Sequence, residues 1–297
     1  SYMDDIAGLG RNSICVGTGN EAGNPVHAGI DFQPGSTGAV RDVLLGVAAS
    51  EPTLNVQIWK EFTDDIAIEV VHPSGRSTGT LYPYEGAQRY PIGNTELLIY
   101  YGEPNPYSIS QEIFIDMIPK DSYIDGGTWR IRMTPGQILS GRVDLWLPSA
   151  STLNRGTGFL NPSPDATMTI PSTARKVIAV GAYNAYTDAY ADFSGRGYAP
   201  LTGMVKPDLA APGVDIMTAA IGGGYASVTG TSFATPFVTG SAALMMEWGI
   251  VRENDPYMYG EKIRASLQRG ARRPLAEMLY PNPRWGYGAL CLSDSLY

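Results

Sequence analysis

Between about residues 30 and 147 the apolar residues of this chain recur at every second position in four separate runs, a spacing that suits strands and excludes helices. Leu54, Val56 and Ile58 mark one run, Ile66, Ile68 and Val70 a second, Ile113 and Ile115 a third, and Trp129, Ile131 and Met133 a fourth. A strand turns successive side chains to opposite faces, so each run offers one apolar face to a core. Turn sequences, Pro73-Ser74-Gly75, Gly126-Gly127 and Pro135-Gly136, separate the runs. The block predicts an antiparallel β-sandwich or jelly roll.

The flanking sequence follows another rule. Residues 4–9 read as the end of a helix stopped by Gly10, and Ile14-Cys15-Val16 as a short strand leading into Gly17-Thr18-Gly19-Asn20. After a stretch rich in Ser, Asn, Gly and Pro over 149–164, Val177-Ile178-Ala179-Val180 has the unbroken apolar character of a strand covered on both faces. Residues 231–250 are apolar and dense in small side chains, the pattern of a helix packed on several sides, and 262–267 is amphipathic. The predicted fold class is α/β, with segments over 1–27 and 150–297 interrupted by an inserted sandwich over 28–149. No internal repeat or low-complexity tract is present.

Composition narrows the partners. With 43% hydrophobic and 17% charged residues the chain has the make-up of a globular protein, and no apolar run approaches the length of a membrane span. A formal charge of -8 without a Lys/Arg cluster argues against nucleic acid and anionic membrane surfaces. Cys15 and Cys291, near opposite ends, make no disulfide framework, and no spacing of Asp, Glu, His or Cys suggests a metal or other cofactor. The opening Ser1-Tyr2-Met3 lacks a basic, apolar leader, and a start inside a structured pattern suggests a processed product or a cut piece.

The sharpest chemical feature is Gly230-Thr231-Ser232-Phe233-Ala234-Thr235-Pro236, opening the predicted helix. A serine there sits beside unsatisfied backbone N–H groups and the positive end of the helix dipole, where a developing oxyanion is stabilised. Gly230 allows close approach of a substrate, and Pro236 is expected in the first turn, where a missing N–H costs little. A helix cap is the other job for such a serine. The whole string, however, resembles the nucleophile motif of the subtilisin-like serine proteases. Gly17-Thr18-Gly19-Asn20-Glu21 is similar to that family's strand end bearing the oxyanion-hole asparagine. Ile170-Pro171 through Gly181-Ala182, Phe193-Ser194 and Lys206-Pro207-Asp208 through Gly213-Val214 match further segments in family order. The all-β insert resembles the jelly-roll domain of the clostridial germination proteases.

The resemblance implies a C-terminal portion of a subtilisin-like parallel-sheet domain that hydrolyses peptide bonds through an acyl-enzyme. Ser232 is then the nucleophile, Asn20 the oxyanion donor, Gly17, Thr18, Gly19, Gly230 and Thr231 substrate-binding positions, and Thr169 the floor of the primary specificity pocket. The implied partners are a peptide or protein substrate and an N-terminal portion of the same protease with its propeptide, in an extracellular or spore-associated setting. The family's Asp-bearing strand and His-Gly-Thr helix start have no counterpart in the nineteen residues before Asn20. Neither histidine fits the base: His27 reads as a solvated or loop-anchoring residue, and His72 as a decoration of the insert. Asp192, Asp208 and Asp215 read as structural. The isolated chain is therefore expected to be inactive. The alternative is a pseudoprotease or binding scaffold, and the insert's aromatics (Trp59, Tyr82, Tyr84, Tyr90, Tyr100, Tyr101, Tyr107) read as core or edge cover before a sugar platform.

Overall fold

Gly10 ends helix α1 (Tyr2–Leu9), after which the chain extends through the short strand β1 (Cys15–Gly17). The structure, a computed structural model, describes residues 2–36, 38–82, 86–104, 106, 108–197, 205–275 and 278–296. It divides into two compact units, one formed by Ser1–Gly23 with Pro164–Tyr297 and the other by Asn24–Ser163.

The second unit is built from ten strands: β2 (His27–Asp31), β3 (Arg41–Val47), β4 (Leu54–Glu61), β5 (Ile66–Val71), β6 (Ala87–Ile92), β7 (Thr95–Tyr101), β8 (Ser110–Pro119), β9 (Gly127–Pro135), β10 (Arg142–Trp146) and β11 (Gly158–Phe159). They make a six-stranded sheet in the order β2-β10-β4-β8-β7-β6 and a four-stranded sheet in the order β11-β3-β9-β5. All pairings are antiparallel, and consecutive strands β2 to β5 alternate between the sheets, as do β8 to β10. The apolar members of all four alternating runs are buried in one continuous core between the sheets.

This unit reaches beyond both limits drawn from the sequence. On the near side, His27 already pairs with Trp146 in the β2–β10 ladder. On the far side, Gly158 and Phe159 pair with Gly46 and Leu45 of β3, and the Phe159 N–H donates to Pro25 C=O at 2.8 Å.

The first unit resumes with β12 (Ile178–Asn184), β13 (Ala189–Tyr190), β14 (Leu209–Pro212), the ribbon β15 (Ile216–Ala219) with β16 (Tyr225–Val228), α2 (Thr231–Met246), α3 (Glu261–Arg269) and α4 (Leu292–Ser295). Strand β12 is central, flanked in parallel by β1 and β14, and its first six residues are all buried, as its unbroken apolar sequence requires. Helix α2 packs on β1, β12 and β14 through Ala234, Val238, Ala242 and Met245, which share one face. The sequence pointed to cover on several sides; instead Phe237 and Leu244 are exposed.

One buried carboxylate ties the sheet to α3. Asp208 accepts hydrogen bonds from Ala179 N (2.7 Å), Lys206 Nζ (2.7 Å), Arg264 Nε (2.6 Å) and Gln268 Nε2 (2.7 Å). A fully buried charge survives only when paired and hydrogen-bonded in this way, so Asp208 is structural.

Candidate active site

The site is assembled where β1 runs out against the start of α2. Thr18 extends the parallel ladder by one step, its N–H donating to Val180 C=O at 3.0 Å, and its side chain is buried. Gly17 has no side chain to hold α2 away: a Cβ there would lie 3.0 Å from both Thr231 Oγ1 and Thr235 Oγ1. Gly19 takes the left-handed conformation (φ +89°), and a Cβ on it would meet Thr169 Oγ1 at 2.5 Å, so both backbone and space demand glycine.

Asn20 then reaches the helix. Its Oδ1 accepts the Thr231 N–H at 3.1 Å and the Thr231 hydroxyl at 3.2 Å, while Thr231 Oγ1 accepts the Gly19 N–H at 3.2 Å. A backbone N–H can only donate, so the amide oxygen must face the helix and Nδ2 must face away from Thr231 N. Gly230 has no capping side chain, and Asn20 caps α2 from 211 residues away. A Cβ on Gly230 would press on Asn20 Nδ2 at 3.3 Å.

Ser232, the second residue of α2, is exposed. Neither its N–H nor its Oγ has a hydrogen-bond partner among the described residues. Phe233 and Ala234 turn their N–H groups back to Gly230 C=O at 3.0 and 3.3 Å, which leaves Ser232 N–H as the open donor of the first turn. Pro236 is the sixth residue of the helix, past the first turn expected for it, and its missing N–H deprives Ser232 C=O of the usual i+4 partner.

Thr169 is half-buried against Gly19, its N–H donating to Thr18 C=O at 3.0 Å. The structure thus gathers Gly17, Thr18, Gly19, Asn20, Thr169, Gly230, Thr231 and Ser232 in one place. The Thr231 hydroxyl is engaged with Asn20 and Gly19.

Sequence reasoning missed Ser194 and Gly195. The Gly195 N–H donates to Gly19 C=O at 2.9 Å, and Ser194 Oγ accepts the Ala182 N–H at 2.9 Å while lying 3.4 Å from Thr18 Oγ1. Phe193-Ser194 was visible only as a landmark of the family pattern. Burial pushes the Tyr190 hydroxyl pKa up to about 12, so it stays protonated and donates to the carbonyls of Ser194 and Gly195. Cys15 and Cys291 are free thiols, and burial raises the pKa of Cys15, leaving a poor nucleophile.

Both histidines are more buried than the sequence suggests. His27 is buried at the start of β2, stacked on Trp146 with ring centroids 5.0 Å apart, and its Nε2 lies 2.9 Å from Asp144 Oδ1. It is not solvated and stands at a strand start, but it anchors the following loop as expected: its Nδ1 lies 3.2 Å from Ser163 C=O, and its own C=O accepts the Ser163 N–H at 2.9 Å. His72 is buried against Trp129 and contacts Ser74 and Asp125. Both belong to the sandwich, outside the unit that holds Ser232. Asp192 and Asp215 are exposed. Of the insert's aromatics Tyr101 is buried, Tyr82 and Tyr100 are exposed, and Tyr84 and Tyr107 lie outside the described residues.

Known proteins resemble this chain in sequence and in fold. The sequence model of the subtilase family matches residues 146–288. Subtilisin-like protease 2 of Pseudogymnoascus destructans is 39% identical over 119 residues, and the serine protease AprX of Bacillus subtilis 31% identical over 131; each match covers 37% of this chain and 28% of the relative. The solved CspB protease of Clostridium perfringens superposes with a TM-score of 0.93 at 35% identity, over 99% of this chain and 60% of that one. The chain therefore spans well under a third of these curated relatives and three-fifths of the CspB chain. Matched segment, whole-chain likeness to CspB and the fold around the Ser232 helix agree: residues 146–288 are a segment of the subtilase family, and the chain as a whole is similar to a solved protease.

Proposed function

We propose that this chain carries the nucleophile and the oxyanion hole of a subtilisin-type endopeptidase. Ser232 Oγ attacks the scissile carbonyl, and the resulting oxyanion is held by Asn20 Nδ2 and Ser232 N–H. The C–N bond then breaks as the leaving amine takes up the serine proton through a base, and water releases the acyl group from Ser232. The base and its orienting carboxylate come from an N-terminal portion of the protease outside these 297 residues, where the propeptide also belongs, and the setting is extracellular or spore-associated. Thr169 lines the specificity pocket, and Gly17, Thr18 and Gly19 form the wall of the substrate site beside Asn20.

The observation that carries this reading is the bond from Thr231 N–H to Asn20 Oδ1 at 3.1 Å, which sets the asparagine amide at the helix start that bears the exposed Ser232. Without a base Ser232 is an ordinary hydroxyl, so the isolated chain should not turn over peptides. The test is peptide hydrolysis by the chain alone and joined to its upstream portion, each with and without Ser232→Ala. Activity only in the joined, unsubstituted protein supports the proposal; turnover by the isolated chain that Ser232→Ala abolishes refutes it. A second reading, a pseudoprotease serving as a binding scaffold, is favoured by one observation: no described side chain offers Ser232 Oγ a base. It predicts an inert joined protein.

A further inference from the structure

At one end of the sandwich the core-facing side of the six-stranded sheet turns polar. Strand β4 buries Leu54, Val56 and Ile58 and then, at the next inward position, Lys60. Strand β8 carries Gln111 at the inward position before Ile113 and Ile115. Lys60 and Gln111 are direct partners in the β4–β8 ladder, so their Cβ atoms lie about 5 Å apart on the same face. Both line a cavity of about 680 Å³, a volume in the range of small-molecule pockets.

Neither buried side chain is fully matched. An ammonium has three donors, and Lys60 Nζ uses two, to Asp64 C=O at 2.6 Å and to Glu61 C=O at 3.2 Å. Burial pulls its pKa down by more than the Asp64, Asp65 and Glu61 carboxylates raise it, as befits an ammonium short of partners. Gln111 Nε2 donates to Gly102 C=O at 3.0 Å, and its Oε1 accepts no hydrogen bond from the described residues. A spare donor and a spare acceptor thus stand side by side in the cavity wall. A hydroxyl oxygen set between them accepts from Lys60 and donates to Gln111; a carboxylate cannot donate, and an ammonium cannot accept.

The rest of the lining suits a sugar ring. Phe62 and Tyr100 line the cavity with 52% and 47% of their surface open, and offer apolar faces to the C–H side of a pyranose. Asp65 and Glu103, also in the lining and exposed, add acceptors for further hydroxyls and disfavour an anionic ligand. Asp64 is occupied: its carboxylate accepts the N–H groups of Leu139 (2.7 Å), Ser140 (2.9 Å) and Gly141 (2.7 Å). Those bonds fix the turn that carries Phe62 and Asp65, so this side of the cavity is preformed.

We propose that this cavity binds a neutral saccharide, with Lys60 and Gln111 holding one hydroxyl at its base and Phe62 and Tyr100 lying against the sugar's C–H surface. The site binds and does no chemistry. All of these residues belong to the sandwich, so the proposal stands apart from Ser232 and from the function given to it.

The test titrates the full chain with three trisaccharides, of α-linked glucose, β-linked glucose and β-linked N-acetylglucosamine, and reads saturation transfer from protein to sugar C–H protons by NMR. At least one should bind with a millimolar or tighter Kd. Its affinity should fall about tenfold in Lys60→Met, which keeps the side-chain length and loses the donor, and in Phe62→Ala, an exposed position outside the core. Near-ultraviolet circular dichroism verifies both folds, and if Lys60→Met unfolds the chain, Phe62→Ala alone decides. The corresponding sugar bearing a uronate should bind more weakly, and Asp65→Asn should narrow that gap. Saturation transfer to none of the three sugars, or an affinity indifferent to the substitutions, overturns the proposal. Tighter binding of choline than of every sugar would assign the cavity to cations and overturns it as well.

Discussion

Replacing Asn20 separates two jobs that one side chain performs. Asn20→Ala removes the acceptor of both the Thr231 N–H and the Thr231 hydroxyl. An uncapped helix start costs about 1 kcal/mol. A buried hydroxyl deprived of an acceptor costs about 1 kcal/mol more. Exchange of the Thr231 amide should accordingly quicken roughly thirtyfold, since about 1.4 kcal/mol is a factor of ten. Asn20→Asp keeps an oxygen at the helix start and places a negative charge there, which the dipole favours, so the Thr231 amide should stay protected. In an intact active parent both variants lose the Nδ2 donor, and kcat should fall about a hundred- to a thousandfold with little change in KM. That last magnitude is the one known for the oxyanion hole of subtilisin itself. The assay is site-resolved amide exchange on the chain, followed by steady-state kinetics on the parent. Equal loss of Thr231 protection in Asn20→Ala and Asn20→Asp, or no loss in either, would refute the capping argument.

Three further outcomes are expected. Asp208→Ala strands the buried Lys206 and Arg264 charges and should destabilise the α/β unit by about 3–5 kcal/mol in urea denaturation; a change below about 1 kcal/mol would contradict the role given to Asp208. Burial by itself pushes the Asp144 carboxyl up, but hydrogen bonds from His27 and Arg142 outweigh it and hold the pKa below the ordinary value. Its contribution to the sandwich is therefore complete above about pH 4 and is lost as pH falls through the folded-state pKa, so Asp144→Asn should flatten that acid limb in tryptophan fluorescence. Residues 24–163 expressed alone should fold, with strand-type circular dichroism and protected β4, β8 and β9 amides; an unfolded chain would show that the unit depends on the rest.

Strand content was legible because alternation is a local signal: Leu54, Val56 and Ile58 all reach the core, and so do Trp129, Ile131 and Met133. The limits of the sandwich were hidden because the residues that set them pair over long distances. His27 reads as a loop residue until Asp144, 117 positions on, supplies its partner. Strand β11 has only two residues, Gly158 and Phe159, inside a turn-rich stretch, and exists because β3 offers an edge. The site was legible through the resemblance of its motifs; what the chain's own residues do there was not. That Asn20 caps α2, and that Gly195 steadies Gly19, depends on contacts no local pattern encodes.

The long reach of the Asn20–Thr231 clip also bears on how such a chain can acquire an insertion. The two residues are 211 positions apart, and about two-thirds of those positions lie in the sandwich. Chain-closure entropy grows only with the logarithm of loop length, so a threefold longer connection makes the clip harder to close by about 1 kcal/mol. That is about half of the roughly 2 kcal/mol worked above for the two hydrogen bonds that Asn20 accepts. An ancestral loop at this point could therefore lengthen by a whole folded unit without dissolving the contact that orients the asparagine. What the insertion alters is time: β1 must meet a helix more than two hundred residues downstream, and a contact of such sequence separation is expected to slow folding.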